Sequence, residues 1–351
     1  MTQRHRRTLA CATALVLLTP GLFAQQAPLS PAPMLGLGKD IDGRPLPFGV
    51  PPYFAPDTPL GSGPFKAAMT TDPGLPEHVI YAPANLDAAG KLPIISWGNG
   101  ACIHAGNRFR TFLTEIASHG FLVISAGRLE DAALEVGPQE NPVVRRPGDP
   151  PPPPAIAVDP NSARARRSTV DHMRQAIDWA LQQNMQASSR FRGRLDTSKI
   201  AVAGQSCGGG LSTQLAGDPR VTTVGMFNSG TRLSAAAGGN ATDPAAAKKL
   251  LDGIHTPILY LTGDAERDIA FAGAQDSFTY LTKVPVFWAW QEKLQHIGTY
   301  GAPGGGSLGR IAVAWFAWQL KGDMQAAKMF KGADCALCKD RSWHVSRKKM
   351  D

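Results

Sequence analysis

Apolar positions along the chain fall into short runs separated by turn residues, and the runs switch between two periods. His78–Ala82 (HVIYA) and Leu92–Trp97 (LPIISW) are rich in β-branched residues and bounded by turn formers, so each predicts a strand. Between Asn107 and His119, Phe109, Phe112, Leu113 and Ile116 recur at helical spacing until Gly120 stops the pattern. Phe121–Ala126 (FLVISA) is continuously apolar, as in a strand covered on both faces. Ser168–Gln186 then puts Val170, Met173, Ile177, Ala180 and Leu181 on one helical face. Strands follow at Lys199–Ala203, Val221–Asn228, Ile258–Thr262 and Val284–Trp290, interleaved with helices at Gly208–Leu215, Ile269–Leu281 and Ile311–Leu320. Such alternation requires parallel crossovers, which predicts one α/β domain with a mostly parallel central sheet and helices on both faces.

Other segments do not fit this pattern. Arg4, Arg6 and Arg7 precede an apolar run, Leu9–Leu18, and a small residue at Ala24, the layout of a secretory leader. That run is too short to cross a membrane as a helix, and no stable membrane anchor is expected. Arg6-Arg7 also fits a twin-arginine signal. The expected product is a secreted or periplasmic domain, residues 25–351, with a Pro/Gly-rich arm at 25–64, a Pro-rich insertion at 128–162 and a surface tail at 323–351. The insertion carries Arg145-Arg146 and the run Pro150–Pro154 and could overhang a site formed after the third strand.

Charge and composition narrow the partners. The 351 residues carry a formal charge of +8, and removing residues 1–24 takes three Arg and no acid, leaving +5. So small a surplus argues against nucleic acid as the main partner. Cys11 leaves with the leader, and the remaining Cys102, Cys207, Cys335 and Cys338 are an even number in a chain bound for an oxidising space.

The chemistry centres on Gly204-Gln205-Ser206-Cys207-Gly208, a G-x-S-x-G sequence. It follows an apolar strand and opens a helix, the one context in which the pattern has mechanical meaning. The turn is so tight that the residues two before and two after the serine must be nearly free of side chain. It would lift the Ser206 hydroxyl above the carboxyl end of the sheet and aim a helix N-terminus at a bound oxyanion. Outside that context the same residues would be a Gly-rich turn with a surface serine.

With LPIISWGNGACIHAGNRF, FLTEIASHGFLVISAGR, KIAVAGQSCGGG, LTGDAERDIAF and QHIGTYG in order, the chain resembles the α/β-hydrolase superfamily, and within it the dienelactone hydrolases and secreted cutinase-like esterases. The resemblance covers nearly everything after the arm and implies the chain order Ser, acid, His. Of the histidines after Ser206, His255 precedes the strand that should carry the acid and His344 lies beyond the last helix, which leaves His296 as the base. The acid is Asp268 or Asp264, both following ILYLTG. Asp264 sits at the strand end, where it would brace the turn, and Asp268 heads Asp-Ile-Ala-Phe at the superfamily's acid position, so Asp268 is favoured. Oxyanion donors are expected from the Cys207 N–H and from the loop Gly98-Asn99-Gly100, with either Asn99 or Gly100 supplying the second. No metal or organic cofactor is required.

The resemblance implies an exported serine hydrolase acting on a small-molecule or polymeric ester, with lactone or peptide hydrolysis, or a silent binding protein on the same fold, as alternatives. No Trp lies between Val221 and Thr256, where a polyester-binding aromatic clamp would be expected. The seven Trp fall mostly within predicted elements, where core packing is the default. Because the two oxyanion loops of such a fold face each other, Cys102 and Cys207 are candidates for a disulfide between them, against two free thiols. Cys335-Ala-Leu-Cys338 is read as a local disulfide; as a zinc site it lacks ligands even with His344, and as a redox motif it lacks the βαβ setting.

Overall fold

The computed structural model describes residues 59–130, 165–233 and 243–350. The leader, nearly all of the arm and all but the first residues of the Pro-rich insertion lie outside the described residues. A single nine-stranded sheet organises the rest, in the order β1-β2-β4-β3-β5-β6-β7-β8-β9. Its strands are β1 (Ala67–Thr70), β2 (His78–Pro83), β3 (Leu92–Gly98), β4 (Leu122–Ala126), β5 (Leu195–Gln205), β6 (Val221–Phe227), β7 (Ile258–Gly263), β8 (Val286–Gln291) and β9 (Trp343–Lys348). From β4 across to β8 all pairings are parallel, while β1, β2 and β9 pair antiparallel at the two edges. The chain is therefore α/β with a mostly parallel sheet, as its alternating pattern predicts.

The helices cover both faces because the strands are apolar on both. In β3, Ile95 and Trp97 face one core and Ile94 the other. The first core packs under α2 (Arg110–Ser118) and α7 (Gly306–Lys321), through Phe112, Ile116, Ile311, Trp315 and Phe316. The second packs under α3 (Val170–Met185), α4 (Cys207–Leu215), α5 (Pro244–Asp252) and α6 (Phe271–Tyr280), through Met173, Ile177, Leu211, Leu251 and Ala274. A single helical turn, α1 (Leu86–Ala89), links β2 to β3. No helix among the described residues is long and apolar enough to cross a membrane.

Strand order places the site. From β3 the chain moves outward to β4, then returns to β5 on the other side of β3 and continues outward through β6, β7 and β8. The carboxyl ends of β3 and β5 are thus adjacent where the winding reverses, the crevice in which open α/β sheets bind ligands. Gly98 at the end of β3 pairs with Gly204 of β5.

The segment 323–350 is not the surface tail its composition suggests. After α8 (Met324–Ala327) and α9 (Ala336–Lys339) it supplies β9, and Phe330, Cys335, Leu337, Trp343 and Met350 are buried in the first core. The two-residue alternation of Trp343-His344-Val345 was the available signal, obscured by the density of Lys and Arg around it. Edge strand β1 is four residues long and mostly Ala and Met, too short and too weakly patterned to read.

Candidate active site

Ser206 stands at the turn from β5 into α4 with φ 54° and ψ −118°, a conformation that non-glycine residues adopt only when the surroundings enforce it. Backbone approach provides the enforcement. A Cβ on Gly208 would lie 2.0 Å from the Gly98 carbonyl oxygen, and one on Gly204 would lie 2.4 Å from the Gly208 carbonyl carbon. The bare glycines flanking the serine therefore let β3, β5 and α4 meet backbone to backbone. The Ser206 N–H donates to the Phe227 carbonyl at 3.0 Å, and the Ser229 hydroxyl donates to the Ser206 carbonyl at 2.8 Å, pinning the turn to β6 and the residues after it.

The structure brings the three predicted side chains into line. Ser206 Oγ lies 2.8 Å from His296 Nε2, and His296 Nδ1 lies 2.7 Å from Asp268 Oδ1. His296 and Asp268 are buried and Ser206 is partly exposed, so the relay opens to solvent only at the serine. Asp268 also accepts from Asn228 Nδ2, Gly263 N and Ala270 N, at 2.7, 2.8 and 2.9 Å. Donors on both oxygens fix the orientation of this carboxylate and present Oδ1 to His296 Nδ1, the arrangement in which an imidazole carries its proton on Nδ1 and leaves Nε2 free to accept. Such a relay can take a proton from the Ser206 hydroxyl as its oxygen attacks an electrophile.

Asp264 is occupied elsewhere. It accepts from the Glu266, Arg267 and Lys293 N–H groups and from Arg267 Nη1, at 2.7–3.0 Å. Burial pushes its carboxyl up, but these donors outweigh burial and hold it below its ordinary value. Asp264 braces the turn after β7, the role its position at the strand end suggests, and Asp268 is the acid that reaches His296.

The loop facing the elbow is built around the Asn99 side chain, which points into protein. Its Oδ1 accepts from Trp97 Nε1 at 3.0 Å and from the Ser125 hydroxyl at 3.3 Å, and its Nδ2 donates to the Ala126 and Ala105 carbonyls at 2.7 and 2.9 Å. This bracing fixes the backbone of Asn99 and Gly100 beside the turn at Ser206. Gly100 opens a short 3-10 turn, Gly100–Cys102, in which Ala101 and Cys102 take positive φ. Cys207 is the first residue of α4, so its N–H has no acceptor within the helix.

Cys102 and Cys207 form a disulfide with Cα atoms 5.2 Å apart, tying this loop directly to the residue after Ser206. Cys335 and Cys338 form a second, local one. Both candidate pairs named from the sequence thus lie at disulfide distance.

A further network holds the far side of the loop. His104 Nε2 lies 2.6 Å from Glu77 Oε2, Arg128 Nε donates to Glu77 Oε1 at 2.7 Å, and His104 Nδ1 lies 3.0 Å from the Ser168 hydroxyl. The Arg128 hydrogen bond, with the His104 contact behind it, outweighs the burial cost and holds the Glu77 carboxyl down at about 2. With His172, these residues bring metal-ligand atoms within 4.8 Å of one another. The Glu77–His104 separation is that of a hydrogen bond, shorter than the roughly 3.3 Å between two ligands on a tetrahedral ion, and Arg128 takes the other carboxylate oxygen. The cluster is an ion-pair brace.

Sequence reasoning missed several residues around the site. Gln205, the variable position of the motif, is buried, and its Nε2 donates to the His296 carbonyl at 3.0 Å. Asn228 follows β6 with φ 42°, fully buried, between Asp268 and the Tyr300 hydroxyl. An Asn directly after a buried strand and before Ser-Gly was the available signal, since Asn tolerates the left-handed region. The tryptophans are largely structural: Trp97, Trp179, Trp288, Trp315 and Trp343 are buried in the two cores. No protein-family model matches the chain, and a search of curated proteins finds no match either.

Proposed function

We propose that this chain is an exported serine hydrolase of the α/β-hydrolase fold that cleaves carboxylic esters, similar to dienelactone hydrolases and secreted cutinase-like esterases. The observation that carries the reading is the unbroken relay from Ser206 Oγ through His296 to Asp268, set at the strand-order reversal of the sheet with its open end at the serine. Ser206 Oγ attacks the ester carbonyl while His296 Nε2 takes its proton. Negative charge collects on the former carbonyl oxygen, where the Cys207 N–H and a second N–H from Asn99 or Gly100 stabilise it. His296 then gives its proton to the departing alkoxide, leaving an acyl group on Ser206. Water, deprotonated by the same imidazole, releases the carboxylic acid and restores the serine. Asp268 holds His296 in the tautomer that accepts at Nε2.

Two disulfides support residence in an oxidising compartment, in keeping with the leader-like N-terminal sequence. The direct test is reaction with a fluorophosphonate probe, followed by p-nitrophenyl esters of increasing acyl length and aromatic acyl esters. Stoichiometric labelling at Ser206, abolished in Ser206→Ala together with ester turnover, is the expected result. Folded protein that neither labels nor hydrolyses any ester of the panel would overturn the reading.

A further inference from the structure

Asp268 is oriented by more than its own loop. Its Oδ2 takes a 2.7 Å hydrogen bond from Asn228 Nδ2, and that amide can present its N–H only while its Oδ1 points the other way. Tyr300 fixes this choice: its hydroxyl lies 2.6 Å from Asn228 Oδ1 and must donate, because the amide oxygen can only accept. Burial, and then the nearby Asp268 charge, push the Tyr300 hydroxyl well above its ordinary value, so it stays a donor. Asn228 is itself held by its N–H to the Leu261 carbonyl at 2.7 Å and sits at positive φ, so its side chain starts from a fixed backbone.

Tyr300 belongs to the same short loop as His296, and Gly298 between them has φ 60°, which turns the chain back toward Asn228. A Cβ on Gly298 would lie 3.2 Å from Asn228 Oδ1 and 2.4 Å from Leu308, so the loop passes close over the amide. The interactions close a ring: His296 to Asp268, Asp268 to Asn228, Asn228 to Tyr300, and Tyr300 along the backbone to His296. All four side chains are buried.

Resting on the esterase reading for its kinetic consequence, we propose that Asn228 and Tyr300 are positioning residues: Tyr300 locks the Asn228 amide, and Asn228 holds Asp268 in line with His296. Neither touches substrate. The positive end of the Asn228 amide also faces the Asp268 carboxylate from the side away from His296, which lowers the field that the carboxylate exerts on the imidazole.

The experiment compares wild type, Asn228→Ala and Tyr300→Phe by steady-state ester hydrolysis, and reads His296 protonation directly by NMR of its ring resonances across pH. Asn228→Ala is expected to lower kcat about 10- to 100-fold with KM within about twofold, since the lost interaction orients the relay rather than the substrate. Its His296 titration, and with it the acidic limb of kcat/KM, should shift by a few tenths of a unit or more, because the carboxylate facing the ring is no longer held as in the wild type. Tyr300→Phe, which removes one oxygen atom and keeps the ring, should lose about threefold to tenfold in kcat in the same sense and keeps the test available should Asn228→Ala fail to fold. Folded variants with wild-type kcat and an unshifted His296 titration would overturn the proposal. Wild type without esterase activity would instead count against the functional reading, while the NMR titration would still decide whether Asn228 and Tyr300 set the state of His296.

Discussion

Reducing or removing the Cys102–Cys207 disulfide should destabilise the protein far more than removing Cys335–Cys338, because the two close loops of very different length. Their sequence separations are 105 and 3 residues. On the chain-entropy account a cross-link stabilises by restricting the unfolded chain, which gives about 4.7 kcal/mol for the long loop and about 1.6 kcal/mol for the short one. At about 2 °C per kcal/mol for a domain of this size, the corresponding losses in Tm are roughly 9 °C and 3 °C. The long cross-link also joins the two backbone segments proposed to bind the oxyanion, so its loss should lower kcat even at temperatures where the protein stays folded. The assay is thermal unfolding of Cys102→Ser/Cys207→Ser and Cys335→Ser/Cys338→Ser double variants beside wild type, with intact mass under non-reducing conditions to count thiols. A larger Tm loss for the short-loop variant, or a wild-type protein with four free thiols, would refute the reasoning.

Further outcomes follow from three buried side chains, Asp268, Asp264 and His78. Asp268→Asn should lower kcat by about 10⁴, the scale seen when a triad acid elsewhere becomes an amide, because its surroundings offer donors where an amide N–H would have to point. Asp264→Asn should lower Tm and leave kcat within a few-fold; the reverse pattern of losses would exchange their roles. Stability should also fall as pH drops from about 6.5 to about 4. Burial depresses the His78 imidazole to about 4 in the folded protein, so in that window the unfolded chain binds the extra proton. A His78→Asn variant followed by chemical denaturation should lose this part of the pH dependence, and an unchanged slope would remove His78 as its source.

Much of the fold was legible because its central strands are unusually explicit. LPIISW, FLVISA, KIAVA and ILYLT are apolar on both faces, and only parallel strands sandwiched between helix layers require that. Ser206 and the glycines around it were legible for a steric reason, since no other residue fits where β3, β5 and α4 touch. The choice between Asp264 and Asp268 could be favoured but not closed, because both lie within one turn of the same strand and differ only in which way the loop faces them. Asn228, Gln205 and Tyr300 escaped notice because they act through hydrogen bonds between segments remote in sequence, and a polar residue buried by tertiary contact carries no periodic mark. The last strand was hidden by its own composition: a strand at a sheet edge is half solvated and tolerates as much charge as a loop.

That last strand bears on how the protein is made. Until β9 is laid down, β8 offers an unpaired row of backbone groups flanked by Phe287, Ala289 and Trp288, a template on which a second nascent chain could polymerise. The partner arrives only after α7, α8 and the Cys335–Cys338 turn have been synthesised. Its half-buried Arg347 donates to the Gly332 carbonyl, and Lys348 Nζ reaches back to the carbonyls of Phe278, Thr279 and Leu281 at the end of α6, so the finished edge is tied to the body of the domain. Pairing of β9 with β8 is therefore the step that removes this template.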